Sequence, residues 1–272
     1  MKNFNDEYFS GHAFGCIPST KDLRDYRLDK KIAYAVELPE EFQVNHSPIK
    51  NQGGVCSCVA HAVAETLEAM NLNKEKYSTN WIYGYRPITY SQSAGMYPRQ
   101  AIKTTVDLGY VLYDDFSGNT EMKEVKESVD KNIDYLKNKA KDRKAVSYAY
   151  LKNRQEIKEA IYLTKSPVIV CVHCCDPFIT DENEILITSN KYSSYHAMVC
   201  YGWNEKGLLI QNSWGENWGD HGTCILPDDY PINESWIITN EETSWFVNKP
   251  RGIWIRRFIQ HIINFLKELF KK

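Results

Sequence analysis

The sequence predicts an α+β protein, and three observations carry that expectation. Apolar residues recur at helical spacing through the first half of the chain. After Pro167 they regroup into short β-favouring runs separated by turn residues. The 272 residues, 43% hydrophobic and 25% charged, are enough for one large domain or two modest ones with a real core. Helices first and strands second leave room for a cleft between two halves.

The chain opens with a polar and aromatic stretch of about 35 residues, where a turn at Ile17-Pro18-Ser19 leads into a charged run read as an extended arm. Globular sequence begins at ELPEEF, residues 37–42. From Cys58 to Asn71, Val59, Ala62, Val63, Thr66, Leu67 and Met70 predict a buried helix whose first turn holds Cys58. A second helix spans Pro98 to Asp107 and stops at Gly109, because glycine commonly closes helices. Val125, Val129, Ile133, Leu136 and Ala140 mark one lysine-rich third helix, and Arg154 to Leu163 a fourth. The strands are expected at VIVCV, ILI, HAMVCYGW, GLLIQNSW and TCIL. Residues 252–272 are expected to form a basic amphipathic helix, with Ile255, Phe258, Ile259, Ile262, Leu266, Leu269 and Phe270 on one stripe.

Composition removes several functions. A net charge of −2 gives no footprint for a nucleic-acid partner. The opening MKNFNDEYFSGHAF has no apolar run of signal-peptide length, and no window of about 18 uncharged apolar residues exists, so a cytoplasmic protein without a spanning helix is expected. The eight cysteines are then expected to be reduced, several of them as small hydrophobes within strands.

Three segments carry chemistry. In NQGGVCSCVAHA, residues 51–62, a thiol at a helix start faces the positive end of the helix dipole, which favours thiolate. Gln52 lies six residues earlier across a Gly53-Gly54 turn, so its amide can return toward the same point. With the Cys58 backbone N–H it offers two donors to a developing oxyanion. In SSYHAMVCYGW, residues 193–203, His196 leads an alternating strand and supplies the imidazole that a nucleophilic thiol needs. In IQNSWGENWGDHGTCIL, residues 210–226, Asn212 stands two residues before the first of two Trp-Gly pairs, and Trp214 opens that pair.

Together these segments resemble the papain family of cysteine peptidases, whose members share a glutamine before a Gly-rich turn and a Cys-Gly-Ser-Cys-Trp-like nucleophile segment. The similarity extends to a His-Ala-Val…Gly-Tyr-Gly segment and to Asn-Ser-Trp-Gly followed by a second Trp-Gly. His196 follows Cys58 by 138 residues, inside the roughly 130–150 that separates the two in such enzymes. The resemblance covers residues ~37 to ~226. It implies a papain-like fold, with a helical half, a β-barrel-like second half and the active-site cleft between them. It makes Cys58 the nucleophile, His196 the acid and base, Gln52 the oxyanion donor and Asn212 the acceptor that orients His196. Trp214 covers that bond, and Gly95, in SAGMYPRQAIKTTVDLGYV, is a substrate-binding position. The implied reaction is peptide-bond hydrolysis through a Cys58 thioester, without cofactor or metal, by a monomer acting on peptide or protein substrates. The same fold used for acyl transfer, or retained as a non-catalytic peptide-binding module, are the rival readings.

The departures are local. Val59 replaces the tryptophan after the nucleophile, Cys56 the glycine two before it, and Val55 the cysteine three before it that secreted members bridge. Losing that bridge fits a reduced compartment. Cys56 near Cys58 reads as a tolerated substitution rather than a redox device. His173, Cys174, Cys175 and Cys171 are too crowded along one strand for a closed zinc site. His221 reads as an exposed, inert turn residue. The chain thus divides into an arm over residues 1–35, a peptidase domain over 36–248 and a helix over 249–272. Asp22-Leu23-Arg24-Asp25-Tyr26 resembles the short arms of some bacterial members, so the arm is either an autoinhibitory leader or a structural brace. The last helix either docks on the domain or contacts a membrane surface or a partner through residues 252–270.

Overall fold

A computed structural model describes residues 13–248, apart from positions 24, 29–35, 87–94, 118–121, 176–177 and 190. The expected carboxy-terminal helix and the first twelve residues of the arm lie outside the described residues. The chain runs β1 (Arg27–Leu28), β2 (Phe42–Gln43), α1 (Cys58–Met70), α2 (Thr79–Gly84), α3 (Pro98–Asp107), α4 (Met122–Lys131), α5 (Ile133–Ala140) and β3 (Ser147–Leu151). It continues through α6 (Arg154–Thr164), β4 (Val168–Cys175), β5 (Tyr192–Asn204), β6 (Gly207–Gln211), β7 (Thr223–Leu226), β8 (Ile232–Thr239) and β9 (Val247–Asn248).

The α+β reading holds. The described strands form one mixed sheet in the order β7-β6-β5-β4-β8-β3-β1-β9, with β2 paired to β5 and only β1–β3 parallel. Its two ends do not pair, so the barrel-like curl expected of this half is replaced by an open sheet. Alternation along the strands sends side chains to two cores. Ile169, Cys171, Ala197, Val199, Trp236 and Ile238 pack with α1 and the helical half. Val168, Val170, Val172, Met198 and Cys200 pack with Ile157, Ala160 and Ile161 of α6 on the opposite face. The sheet is therefore buried on both sides, and its strands read as continuous apolar runs.

Three boundaries differ from expectation. The third helix breaks at Asn132, whose Nδ2 donates to the Ser128 carbonyl at 2.8 Å, a side-chain bond that competes with the helical ladder. ILI forms isolated bridges, Leu186 with Thr180 and Ile185 with Ile225, rather than a strand. Strands β3 and β8 have no counterpart among the expected runs.

Helix α1 is buried along twelve of its thirteen residues, and alanines at 60, 62, 64 and 69 allow close approach of its neighbours. Its two acids differ. Glu68 is matched by Lys50 at 2.8 Å and by the Tyr77 N–H at 2.8 Å. Neither carboxylate oxygen of Glu65 has a hydrogen-bond partner among the described residues. Burial pushes Glu65 up to about 8, Lys50 opposing and Glu68 adding to the shift. A folded-state pKa above the unfolded value means this group's contribution to stability is complete below about 4.5 and is lost as pH rises through about 8. Glu65→Gln should therefore gain on the wild type across that window, by roughly 1.4 kcal/mol for each tenfold fall in proton concentration and a few kcal/mol in all. Denaturant unfolding at several pH values measures it, and a pH-independent difference would contradict the assignment.

Candidate active site

Five of the six residues singled out in the sequence converge where the first turn of α1 meets β5. Cys58 begins the helix and is fully buried. Ser57, before it, makes no side-chain cap bond, so the helix terminus keeps its positive potential beside the thiol. The backbone of Ala197, the residue after His196, hydrogen-bonds the Cys58 thiol, and so does the backbone of Gly15. Burial nonetheless dominates and pushes the thiol up, with Cys16 adding to the shift, so in this closed arrangement Cys58 is a neutral thiol.

His196 sits within β5 opposite Val172 of β4. Its Nε2 lies 2.8 Å from Asn212 Oδ1, and that oxygen also accepts the Ser213 N–H at 2.8 Å. An oxygen shared in this way can only accept, so Nε2 carries the proton and Nδ1 is the nitrogen turned away from Asn212. Asn212 follows the last residue of β6, whose pairing with β5 sets the distance. Trp214 lies over the imidazole with ring centroids 5.0 Å apart, and Phe178 closes another side at 5.7 Å.

Gln52 is held through both its backbone and its side-chain amide. Its N–H donates to the Ser213 carbonyl at 2.8 Å, and its Oε1 accepts from Ser213 Oγ at 2.7 Å. This aims Nε2 at two carbonyls, Val55 and Ala13, each at 2.7 Å. Gly53, at φ 57°, makes the turn that brings Gln52 back toward Cys58.

Ala13 belongs to the arm, and its presence here is the largest addition to the sequence reading. The arm runs between Met96 and Tyr195, with an isolated bridge from Cys16 to Met96. Met96 N–H donates to the Gly15 carbonyl at 2.8 Å and Ile17 N–H to the Met96 carbonyl at 2.9 Å, while Cys16 N–H reaches the Tyr195 carbonyl at 3.3 Å. Gly95 is the sixth singled-out residue, and it lines this track rather than the nucleophile. A Cβ on Gly95 would stand 2.7 Å from Ile17 Cγ1 and 2.8 Å from the Gly15 carbonyl. Phe14 completes the enclosure of the imidazole, 5.7 Å from His196 and 5.5 Å from Trp214. Farther along, Arg99 pairs with Asp25 at 2.7 Å, and Arg27 and Leu28 join the sheet.

Sequence reasoning missed Ala13, Phe14, Phe178 and Ser213 as members of the site. Only Ser213 had a local signal, the serine inside Asn-Ser-Trp-Gly. The departures are absorbed quietly. Val59 is core, and the Cys56 backbone lies where a Cβ on Gly15 would have to sit. His221 is exposed at φ 47°. All eight cysteines are free thiols.

Three comparisons with known proteins bear on this geometry. A model of the family described as "Papain family cysteine protease" matches residues 38–240. A viral cathepsin from Heliothis zea nuclear polyhedrosis virus is 34% identical over 76 residues, 26% of this chain and one fifth (20%) of that protein's length. Among solved structures, xylellain, a cysteine protease from Xylella fastidiosa, matches with a TM-score of 0.68 at 20% identity, covering 85% of this chain and 97% of the other. Procathepsin B S9 from Trypanosoma congolense matches with a TM-score of 0.66 at 13% identity, covering 89% of each chain. At these identities the structural likeness speaks for the fold.

Proposed function

The chain belongs to the papain family of cysteine proteases, and from that premise we propose that it hydrolyses peptide bonds with Cys58 as nucleophile and His196 as acid and base. The observation that carries the reading is the Ala13 carbonyl, a peptide carbonyl held 2.7 Å from Gln52 Nε2 in a chain that passes Gly15 over Cys58. A substrate carbonyl in the same grip meets one preset donor before any bond has changed. The Cys58 N–H is the second.

In the reaction, His196 Nδ1 takes the Cys58 proton and the thiolate attacks the scissile carbonyl. The negative charge gathers on the oxygen facing Gln52. Collapse gives the thioester as the imidazolium protonates the leaving amine, and His196 then activates water to release the acid. Asn212 Oδ1 holds the imidazole in orientation, while Trp214 and Phe178 keep water off that bond. Thiolate formation needs the arm to move, because burial and the adjoining Cys16 favour the neutral thiol more than the backbone bond from Gly15 favours the thiolate. The arm is accordingly an autoinhibitory leader, and the brace it also provides comes from the contacts of Asp25, Arg27 and Leu28.

A peptide-library cleavage profile on the full chain and on an arm-displaced variant tests the proposal. Asn212→Ala should lower kcat by about 10- to 100-fold with KM nearly unchanged, since a misaligned imidazole costs rate rather than binding. No cleavage of any library member by the arm-displaced protein would overturn it.

A further inference from the structure

The Cys16 side chain leaves the arm toward the sheet and meets two groups that the proposed chemistry does not use. Cys16 Sγ, Cys171 Sγ and a Glu234 carboxylate oxygen all lie within 4.8 Å of one another, and all three residues are buried. The two thiols hydrogen-bond each other. We propose that Cys16, Cys171 and Glu234 form a binding site for a zinc-class divalent cation that latches the arm into the cleft. The inference rests on the reading of the arm as an inhibitory leader.

The donor set suits such an ion. Two thiolates and one carboxylate satisfy a borderline-soft cation better than calcium or magnesium, which take oxygen ligands. Bonds of about 2.3 Å in tetrahedral geometry put sulfurs roughly 3.8 Å apart, so the atoms need only contract slightly, and a water completes the sphere. The carboxylate is already oriented. Ser19 N–H donates to Oε1 at 2.9 Å and Trp236 Nε1 to Oε2 at 2.8 Å, leaving a lone pair on each oxygen for a metal. A dication with two thiolates and a carboxylate carries one net negative charge, and the Arg99 guanidinium, which also pairs with Asp25, acts on Glu234 and lies 5.3 Å from the Trp236 ring centroid.

The site is built from three separate pieces of chain: the arm, β4 and β8. The run of Cys171, His173, Cys174 and Cys175 contributes only its first member. His173 turns instead to Tyr192 and Tyr195, with ring centroids 5.1 and 4.7 Å away. Binding exchanges two thiol protons for the cation and releases them to solvent, with no change of oxidation state. The bound ion joins Cys16 to the sheet next to Cys58, whose thiol feels the Cys16 group directly.

Cobalt(II) added to the reduced, metal-free full chain is the test, read by the thiolate-to-cobalt charge-transfer absorption. The band should saturate at about one equivalent and be displaced by zinc(II). In Cys16→Ser and in Cys171→Ala, each checked for folding by circular dichroism, affinity should fall at least about a hundredfold. Glu234→Gln should weaken it by about 10- to 100-fold. Absence of the band in the full chain overturns the proposal, and so does its survival in Cys16→Ser, which would put the metal on other thiols. The readout requires no turnover, so cobalt(II) binding by the full chain together with no cleavage by the arm-displaced protein would refute the peptidase reading alone.

Discussion

Cys58→Ala should abolish peptide hydrolysis, lowering kcat by at least about 10⁴-fold, the scale at which loss of a covalent nucleophile is measured in comparable catalytic constellations. The physical ground is that the remaining groups cannot substitute. His196, fixed by Asn212 at 2.8 Å, retains an imidazole able to activate water, but the thioester route is closed. Stability should move little or rise slightly, because a buried thiol is replaced by a smaller apolar group in a helix that tolerates alanine at four positions. Peptide turnover, together with iodoacetamide labelling followed by mass spectrometry, measures both the loss of activity and the identity of the reactive thiol. Labelling of the arm-displaced wild type should concentrate on Cys58. If Cys58→Ala retains more than a small fraction of wild-type turnover, the nucleophile has been misassigned.

Gly15→Ala should activate the full-length chain. A Cβ there would sit 1.9 Å from the Cys56 carbonyl oxygen and 2.4 Å from its carbon, both backbone atoms that cannot rotate aside. The arm must lift locally. Overpacking of this kind costs about 1–3 kcal/mol, which shifts the closed-to-open balance by roughly 5- to 150-fold. Both peptide hydrolysis and the alkylation rate of Cys58 should rise in that proportion, because the same movement uncovers the oxyanion donors and relieves the burial that holds the thiol neutral. A folded Gly15→Ala protein with unchanged alkylation and turnover would show that the arm does not control access. The substitution replaces none of Cys58, His196, Gln52 or Asn212, and the backbone bond from Gly15 to the Cys58 thiol exists only while the arm is seated, so a gain has no other ready source in the catalytic groups.

Much of the site was legible because its parts are short local patterns. Gln52, Cys58, His196, Asn212 and Trp214 each lie in a short segment that resembles a papain-family motif, and helix α1 begins where the periodicity placed it. What escaped was non-local. Phe178 and Phe14 reach His196 from loops far apart in sequence, and neither sits in a patterned run. The pairing of Gly15 with Met96 is a contact between an irregular arm and an irregular turn, invisible to periodicity. Strand β3 escaped because SYAYL offers tyrosines rather than an aliphatic run, and β8 because the polar residues Asn233, Glu234 and Ser235 follow its first residue. The divided third helix turned on one side chain, Asn132, whose bond to Ser128 outweighed an uninterrupted apolar stripe.

The double attachment of the arm has a kinetic consequence. Gly15 and Ile17 hold to Met96, while Arg27 and Leu28 pair with β3 and β9. When the first grip opens, the second keeps the arm tethered about ten residues away. Its effective concentration at the cleft then stays near the millimolar range that short tethers give, however dilute the protein. Dilution should therefore not activate the chain, and a competing peptide must reach comparable concentrations to win the cleft. Cutting the tether between the two grips would turn an intramolecular equilibrium into a bimolecular one, and the blocking segment would be lost to solution.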